Sequence, residues 1–326
     1  MTGVQTCALP ICSLEPWQYR AADAPAYGND RLLACIAGHN PCLGAFGPPS
    51  PEEQRQGLST HYEAPVARWT LLARRRGVHS LMLRVQALLP AYAMRLVRTV
   101  TTQRGSPVVR VVERLTNLAR RDVPFTMCQH VTVGAPLLEK GVTLFDMPAT
   151  RGHTMPTAFS NVQRLRQDAA FTWPKGPGVN GPVDLRMIGR QQRRSSDFST
   201  QLMHPQCEQA WFAAGNPRLG LLLAYVWRRA DYPWVGNWEE NYGRRQAPWH
   251  GKELTRGMEF SNTPFPLGLR HAVDLGTFHG ERTYRWLPAR ASMTFVYYII
   301  AQTLPAGYTG VSDIHVAGGR ARITYR

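Results

Sequence analysis

Apolar and polar residues alternate with a period of two along most of this chain, the repeat of a strand with one buried face. Residues 80–88 and 92–103 alternate in this way, and residues 108–118 set Val109, Val111, Glu113, Leu115 and Asn117 on a single face. Residues 291–303 and 314–325 are rich in β-branched and aromatic side chains, which suit a pleated, half-buried surface. No segment longer than about two turns carries a 3.6-residue apolar stripe. Ser50-Pro51-Glu52-Glu53 is a cap-and-start signal and predicts a short helical turn over residues 51–56. Residues 173–194, rich in Gly, Pro and Arg, read as an excursion loop rather than a linker between domains. Many strands, no long helix, no internal repeat and no break in composition predict one all-β domain of two large packed sheets.

Length and charge narrow the picture further. The chain has 326 residues, 44% of them hydrophobic, which is ample for such a core. Its net charge is +16, and all its basic residues except Lys140, Lys175 and Lys252 are arginines. Arginine runs at 74–76, 120–121, 193–194, 228–229 and 244–245 are scattered through the chain and accompany no nucleic-acid-binding motif. Nonspecific phosphate affinity at low salt is expected, a specific nucleic-acid partner is not. The longest apolar runs, 219–227 and 293–301, have strand length and are too short to span a bilayer, so no membrane partner is expected.

Residues 2–11 resemble the translation of a sequencing-library adapter. On that reading residues 1–12 are a non-native tail, residues 13–326 form the single domain, and the natural N-terminus lies outside this sequence. Setting Cys7 and Cys12 aside leaves Cys35, Cys42, Cys128 and Cys207 without a C-x-x-C pair. That is no disulfide framework, and a reduced, cytoplasmic setting is the expectation.

Candidate chemistry concentrates in three segments. His61 lies in Gly57-Leu58-Ser59-Thr60-His61-Tyr62-Glu63, and His130 lies in Cys128-Gln129-His130-Val131-Thr132. Glu259 stands between Met258 and Phe260 in Arg256-Gly257-Met258-Glu259-Phe260, followed by Pro264-Phe265. A carboxylate between two large apolar side chains is costly to bury unpaired, and burial raises its pKa toward the range of a working base. The plainer alternative is a surface carboxylate or a partner of Arg256. Trp234, Trp238 and Trp249 cluster upstream of Glu259, beside Glu239, Glu240 and Asn241. Flat rings for the apolar face of a sugar, next to groups that read hydroxyls, are what a carbohydrate cleft needs, although sandwich cores also bury tryptophan. Glu239 and Glu240 read as ion-pair partners of Arg244 and Arg245. No His-Glu-x-x-His motif or close histidine pair suggests a metal, and Cys128 reads as an inward-facing strand residue rather than a nucleophile.

The order of these segments resembles the aldose 1-epimerase (galactose mutarotase-like) superfamily over most of residues 30–305. The matching features are His61-x-Glu63, the strand Glu113-x-x-x-Asn117 leading to Gln129-His130, and the Gly257-Met258-Glu259-Phe260 block with Pro264-Phe265. The resemblance implies a β-supersandwich with a sugar cleft on the concave face of one sheet. It implies Glu259 as the base that takes the anomeric hydroxyl proton, and His130, near its ordinary pKa, as the acid that protonates the ring oxygen. His61, Asn117, Gln129, Trp238, Trp249 and Arg256 are the substrate-contacting candidates, with no cofactor and no metal. This chain has His61-Tyr62-Glu63 where the family has His-Gly-Gly, so a pocket narrowed by Tyr62 is expected. It has Gln129-His130-Val131-Thr132-Val133 where the family has Asn-His-x-Tyr-Phe-Asn. For the sugar-binding aspartate only Asp184 and Asp231 are placed suitably. Arg151 and Arg256 are candidates to receive a sugar phosphate, and His153 reads as a loop residue. The expected partner is a small aldose, free or phosphorylated, and the rival reading is a noncatalytic carbohydrate-binding protein on the same fold.

Overall fold

The computed structural model describes residues 38–246 and 249–326, so the expectations for residues 1–12, Cys7, Cys12 and Cys35 lie outside the described residues. From β1 (His39–Gly44) the chain passes through α1 (Pro51–Arg55) and a 3-10 turn at Ala64–Val66. A run of long strands follows, β2 (Trp69–Arg76), β3 (Ser80–Leu89), β4 (Met94–Gln103), β5 (Val108–Asn117) and β6 (Val123–Gly134). Five short ones come next, β7 (Leu144–Asp146), β8 (Ala149–Thr154), β9 (Ala170–Thr172), β10 (Lys175–Gly176) and β11 (Val183–Asp184). The second long run is β12 (Ser195–Met203), β13 (Gln209–Asn216), β14 (Leu221–Arg228), β15 (Trp234–Asn241) and β16 (Leu254–Ser261). After α2 (Gly268–Leu275), the short strands β17 (Thr277–Phe278), β18 (Glu281–Arg282) and β19 (Arg285–Leu287) lead into β20 (Ser292–Thr303). The chain closes with a hairpin of β21 (Val311–Ala317) and β22 (Arg320–Tyr325).

Two large antiparallel sheets carry the fold. One runs β1-β6-β16-β15-β12-β8-β9-β10-β11, with β19 joined to the start of β6, and the other runs β2-β3-β4-β5-β20-β14-β13-β7. They meet face to face over a core that takes Met127, Val131, Val235, Met258 and Phe260 from the first sheet and Leu96, Leu115, Phe212, Trp227 and Phe295 from the second. The C-terminal hairpin adds a third layer, where Val311, Ile314 and Val316 cover Trp211, Leu222, Val226 and Ile300 on the outer face of the second sheet. All-β architecture with two large packed antiparallel sheets is thus what the chain forms.

Phe260 is the hub of the inter-sheet core. Its ring stacks on Trp227 at 4.4 Å between centroids and meets Tyr232, Tyr297 and Tyr225 at 5.3, 5.5 and 5.9 Å. Beside this aromatic cluster lies a buried polar chain. Arg98 Nε donates to Glu113 Oε1 at 2.7 Å, Gln129 Nε2 donates to Glu113 Oε2 at 2.6 Å, and His39 Nε2 donates to Gln129 Oε1 at 2.8 Å. A buried ion pair is tolerable because its remaining lone pairs are bonded in this way.

The short helix at α1 forms as the sequence predicts. Ser50 Oγ accepts from Glu53 N–H and Glu53 returns a bond to Ser50 N–H, a complete capping box. One expectation is corrected, for residues 173–194, and two features were not anticipated. The 314–325 segment folds as two strands, because Gly318 and Gly319 turn the chain with φ of 56° and 75°. Part of the 173–194 excursion joins the first sheet as β10 and β11. The helix α2 was not anticipated, since it is short and begins without a side-chain cap at Leu267. Among the described residues no helix is long and apolar enough to cross a membrane.

Phe260→Ala should lower the unfolding free energy by about 3–5 kcal/mol, the usual loss for a core phenylalanine with its cavity. Equilibrium urea unfolding checks this, and a loss below about 1 kcal/mol would show that the core collapses around the gap.

Candidate active site

Strands β6 and β16 are neighbours in the first sheet, and their register sets Glu259 directly opposite His130. Alternation then sorts the side chains. His130 and Glu259 point away from the inter-sheet core, while Gln129 and Phe260, one position along each strand, point into it. His130 Nε2 lies 3.1 Å from Glu259 Oε1, and its Nδ1 lies 3.1 Å from Thr132 Oγ1. Both side chains are almost fully buried.

The carboxylate has a seat made by missing side chains. Gly257 lies two residues before Glu259 on β16, and Gly236 lies opposite it on β15. A Cβ at Gly257 would stand 2.2 Å from Glu259 Oε1, and one at Gly236 would stand 2.7 Å from the Phe198 ring and 3.1 Å from Glu259 Oε2. Gly257 thus leaves Oε1 its place, and Gly236 clears the Phe198 ring and keeps Oε2 uncrowded.

His61 reaches the same site from the segment after α1. It and Tyr62 adopt left-handed backbone, with φ of 61° and 63°, at a cost of roughly 1–2 kcal/mol each for residues with a Cβ. The conformation is held by local bonds. His61 N–H donates to Gly47 O at 2.8 Å, Tyr62 N–H to Ser59 O at 2.9 Å, and the Tyr62 hydroxyl to Glu53. Gly47 N–H in turn donates to His61 Nδ1 at 3.0 Å, so the neutral ring carries its proton on Nε2. Burial, with His130 nearby, holds the His61 pKa well below the ordinary histidine value. His61 is therefore a fixed, neutral hydrogen-bond donor, stacked on Phe46 and edge-on to His130 at 5.4 Å.

The cleft above these residues has a volume of about 260 Å³. Trp238 and Trp249 line it together with Phe46, Phe159 and Phe198. The indole N–H groups of both tryptophans are buried without a hydrogen-bond partner. Arg244 also lines it, with its guanidinium 4.7, 5.1 and 5.4 Å from the ring centres of Trp249, Trp238 and Phe159, the geometry of a cation held on aromatic faces. Glu240 neutralises it from the side at 3.3 Å.

Dry walls set the proton balance. Burial raises the Glu259 pKa well above the ordinary carboxyl value, and Arg244 offsets that only in part. Burial lowers His130 to about 4, with Arg244 pushing in the same direction. The expectation of a histidine near its ordinary value is corrected here, because desolvation outweighs the backbone hydrogen bond that would raise it. Both shifts favour the uncharged forms of the pair.

Five of the eight residues singled out from sequence meet at this cleft, namely Glu259, His130, His61, Trp238 and Trp249. The other three lie elsewhere. Asn117, on the second sheet, caps backbone carbonyls of Arg121, Leu287 and Pro288. Gln129 faces the core in the Glu113 chain. Arg256 is buried between the sheets, donating to Asn237 Oδ1 and Leu185 O over the Phe145 ring. Strand parity explains both of the latter, since Gln129 adjoins His130 and Arg256 stands three residues from Glu259. Tyr62 does not narrow the cleft, because its ring packs with Ala45, Leu58 and Tyr92. Asp184 is exposed, and Asp231 is paired with Arg228 and Arg285 away from the cleft. Arg151 is exposed on β8, and His153 is a strand residue bonded to Asp168 at 2.9 Å. Glu240 pairs with Arg244 as expected, whereas Glu239 pairs with Arg164. Cys128 is buried beside Cys42, its partner across the strands. The residue missed was Arg244, whose position among tryptophans was visible as Trp238-x5-Arg244-x4-Trp249. Among the described residues no group of three or more His, Cys, Asp or Glu could hold a metal ion.

No protein-family model matches the chain, and no curated protein does. Solved structures do. A proposed aldose 1-epimerase from Klebsiella pneumoniae superposes with a TM-score of 0.57 at 11% identity over 82% of this chain, which spans 63% of that structure's length. A proposed aldose 1-epimerase from Escherichia coli K12 gives 0.53 at 13% identity over 83% of this chain and 86% of its own. A galactose mutarotase-like protein from Clostridium acetobutylicum gives 0.54 at 9% identity over 81% and 79%. The protein thus has the galactose mutarotase-like β-sandwich fold.

Acid should weaken the fold through its buried histidines. His39 falls to about 3 and His130 to about 4, both from 6.5 and both chiefly by burial, and His61 is lowered too. Below pH 6.5 the unfolded chain takes up protons that the folded one refuses, so stability present above that pH drains away toward pH 4, by up to about 1.4 kcal/mol per pH unit per histidine. Glu259, Asp197 and Glu240, all raised by burial, work in the opposite sense, but His271 and His279 are lowered as well, so three carboxyls stand against five histidines. The melting temperature by circular dichroism should fall steadily from pH 7 to pH 5, and a flat profile would refute this balance.

Proposed function

We propose that the protein is an aldose 1-epimerase-like isomerase that interconverts the α and β anomers of a sugar by general acid and base catalysis. The observation that carries this reading is the buried His130–Glu259 contact at 3.1 Å, set in an aromatic cleft beside the neutral donor His61. Ring opening removes the proton from the C1 hydroxyl, breaks the bond from C1 to the ring oxygen and delivers a proton to that oxygen. A base and an acid within hydrogen-bond reach of neighbouring oxygens are what this needs, each contributing about 10²–10⁴ in rate.

In this reading Glu259 as carboxylate takes the hydroxyl proton while His130 as imidazolium protonates the ring oxygen. Opening leaves the proton on Glu259 and His130 neutral, which is the distribution that burial favours. After rotation about the bond from C1 to C2, the same two groups work in reverse. Glu259 returns its proton to the aldehyde oxygen, His130 takes the proton of the attacking hydroxyl, and the other anomer forms. His61 Nε2–H steadies the ring oxygen throughout, and Trp238 and Trp249 give the cleft aromatic walls for the apolar face of a sugar.

Polarimetry or proton NMR on freshly dissolved α-anomers of glucose, galactose and xylose tests the reading. Wild type should speed equilibration, and Glu259→Gln should lose about 10²–10⁴ of that rate while still binding sugar. Gly257→Ala should fold and lose much of the rate, because its Cβ enters the space of Glu259 Oε1. Sugar binding without turnover in the wild type would assign the chain instead as a noncatalytic carbohydrate-binding protein.

A further inference from the structure

A second concavity adjoins the cleft and has a different chemistry. It measures about 660 Å³ and is lined by Arg193, Arg194 and Arg245 together with Asn161 and Gln246, with no carboxylate on its wall. The two spaces share their walls in sequence. The turn at 159–162 gives Phe159 to the cleft and Asn161 to the basin, and the segment at 243–246 gives Arg244 to the cleft and Arg245 to the basin.

The three basin arginines are exposed, and hydrogen bonds hold the backbone around them and the Arg194 side chain. Arg194 donates from Nε to Tyr242 O at 2.9 Å and from a terminal nitrogen to Gly243 O at 3.3 Å, which fixes its guanidinium plane and leaves other N–H groups free. Asn241 Nδ2 donates to Arg193 O at 2.7 Å, tying that backbone to the end of β15. Glu240 Oε1 accepts from Gly243 N–H and Arg244 N–H, which pins the other wall. The nearby acids are thereby consumed, Glu240 by that wall and the Arg244 side chain, and Glu239 by Arg164, Gln192 and Ser195. Lys140 adds a further cation over the Tyr242 ring at 5.7 Å. Planar, pre-oriented guanidinium groups bind carboxylate or sulfate oxygens in pairs.

We propose that the basin is an anion subsite continuous with the cleft, and that the substrate is a reducing oligosaccharide whose second unit is acidic. This rests on the reading of the cleft as a sugar site. The smaller, aromatic cleft holds the ring at the reducing end, and the larger basin holds the next sugar with its carboxylate or sulfate on Arg193, Arg194 and Arg245.

Isothermal titration at low salt with digalacturonate, galacturonate, galactose, galactose 6-phosphate and inorganic phosphate tests this on the full chain. Digalacturonate should bind at least about tenfold more tightly than galacturonate or galactose. The double variant Arg193→Gln, Arg245→Gln should lose that advantage and keep its affinity for galactose. Equal affinity for all the sugars overturns the proposal, as does an advantage that survives in the double variant. Galactose 6-phosphate matching digalacturonate also overturns it, because the anion would then belong to the reacting ring. Phosphate binding without any preference among sugars overturns it by leaving an adventitious ion site only. Failure here with galactose turnover intact leaves the isomerase reading standing, whereas loss of both refutes the cleft reading itself.

Discussion

The register between β6 and β16 is the constraint on which the rest of the molecule depends. One pairing places His130 against Glu259 on the cleft face and, by the same alternation, Phe260 among five aromatic rings and Gln129 in the polar chain behind them. A slip of one residue would drive a carboxyl into the aromatic core and a phenylalanine into the cleft. The core therefore specifies the site. Energy from burying Phe260 holds the pairing that brings two titratable groups to 3.1 Å, and the chain Arg98–Glu113–Gln129–His39 stiffens β6 from the opposite face.

A closed, aromatic environment then decides what those two groups are. Desolvation moves the carboxyl up and the imidazole down, so both are pushed toward their neutral forms. Such a pair tolerates the dry cleft that a charged pair would not, and remains one short transfer away from acid and base. Arg244 tempers the arrangement. Its charge is spread against three rings and offset by Glu240, close enough to favour carboxylate yet outside the hydrogen bond itself.

Much of this was legible in the chain, and the failures follow a pattern. Strands β3, β4, β5 and β20 were readable because one face of each meets solvent or thin cover, which keeps polar and apolar residues alternating. Strand β12, Ser195–Met203, is buried along its whole length although six of its nine residues are polar, so the period of two is masked there. His130, Glu259 and His61 were found by their order along the chain. Gln129, Arg256 and Asn117 were misplaced because order says nothing of which side a strand residue faces, although parity relative to His130 and Glu259 would have excluded the first two. Arg244 escaped because an arginine beside glutamates reads first as an ion-pair partner, and its three rings are assembled only by folding.

The seat of Glu259 is a hollow bounded by Gly257 and Gly236 on two different strands. A methyl group at Gly257 would crowd Oε1, and one at Gly236 would crowd Oε2 and the Phe198 ring. The floor of the cleft is therefore shaped by what these two strands lack as much as by what they carry.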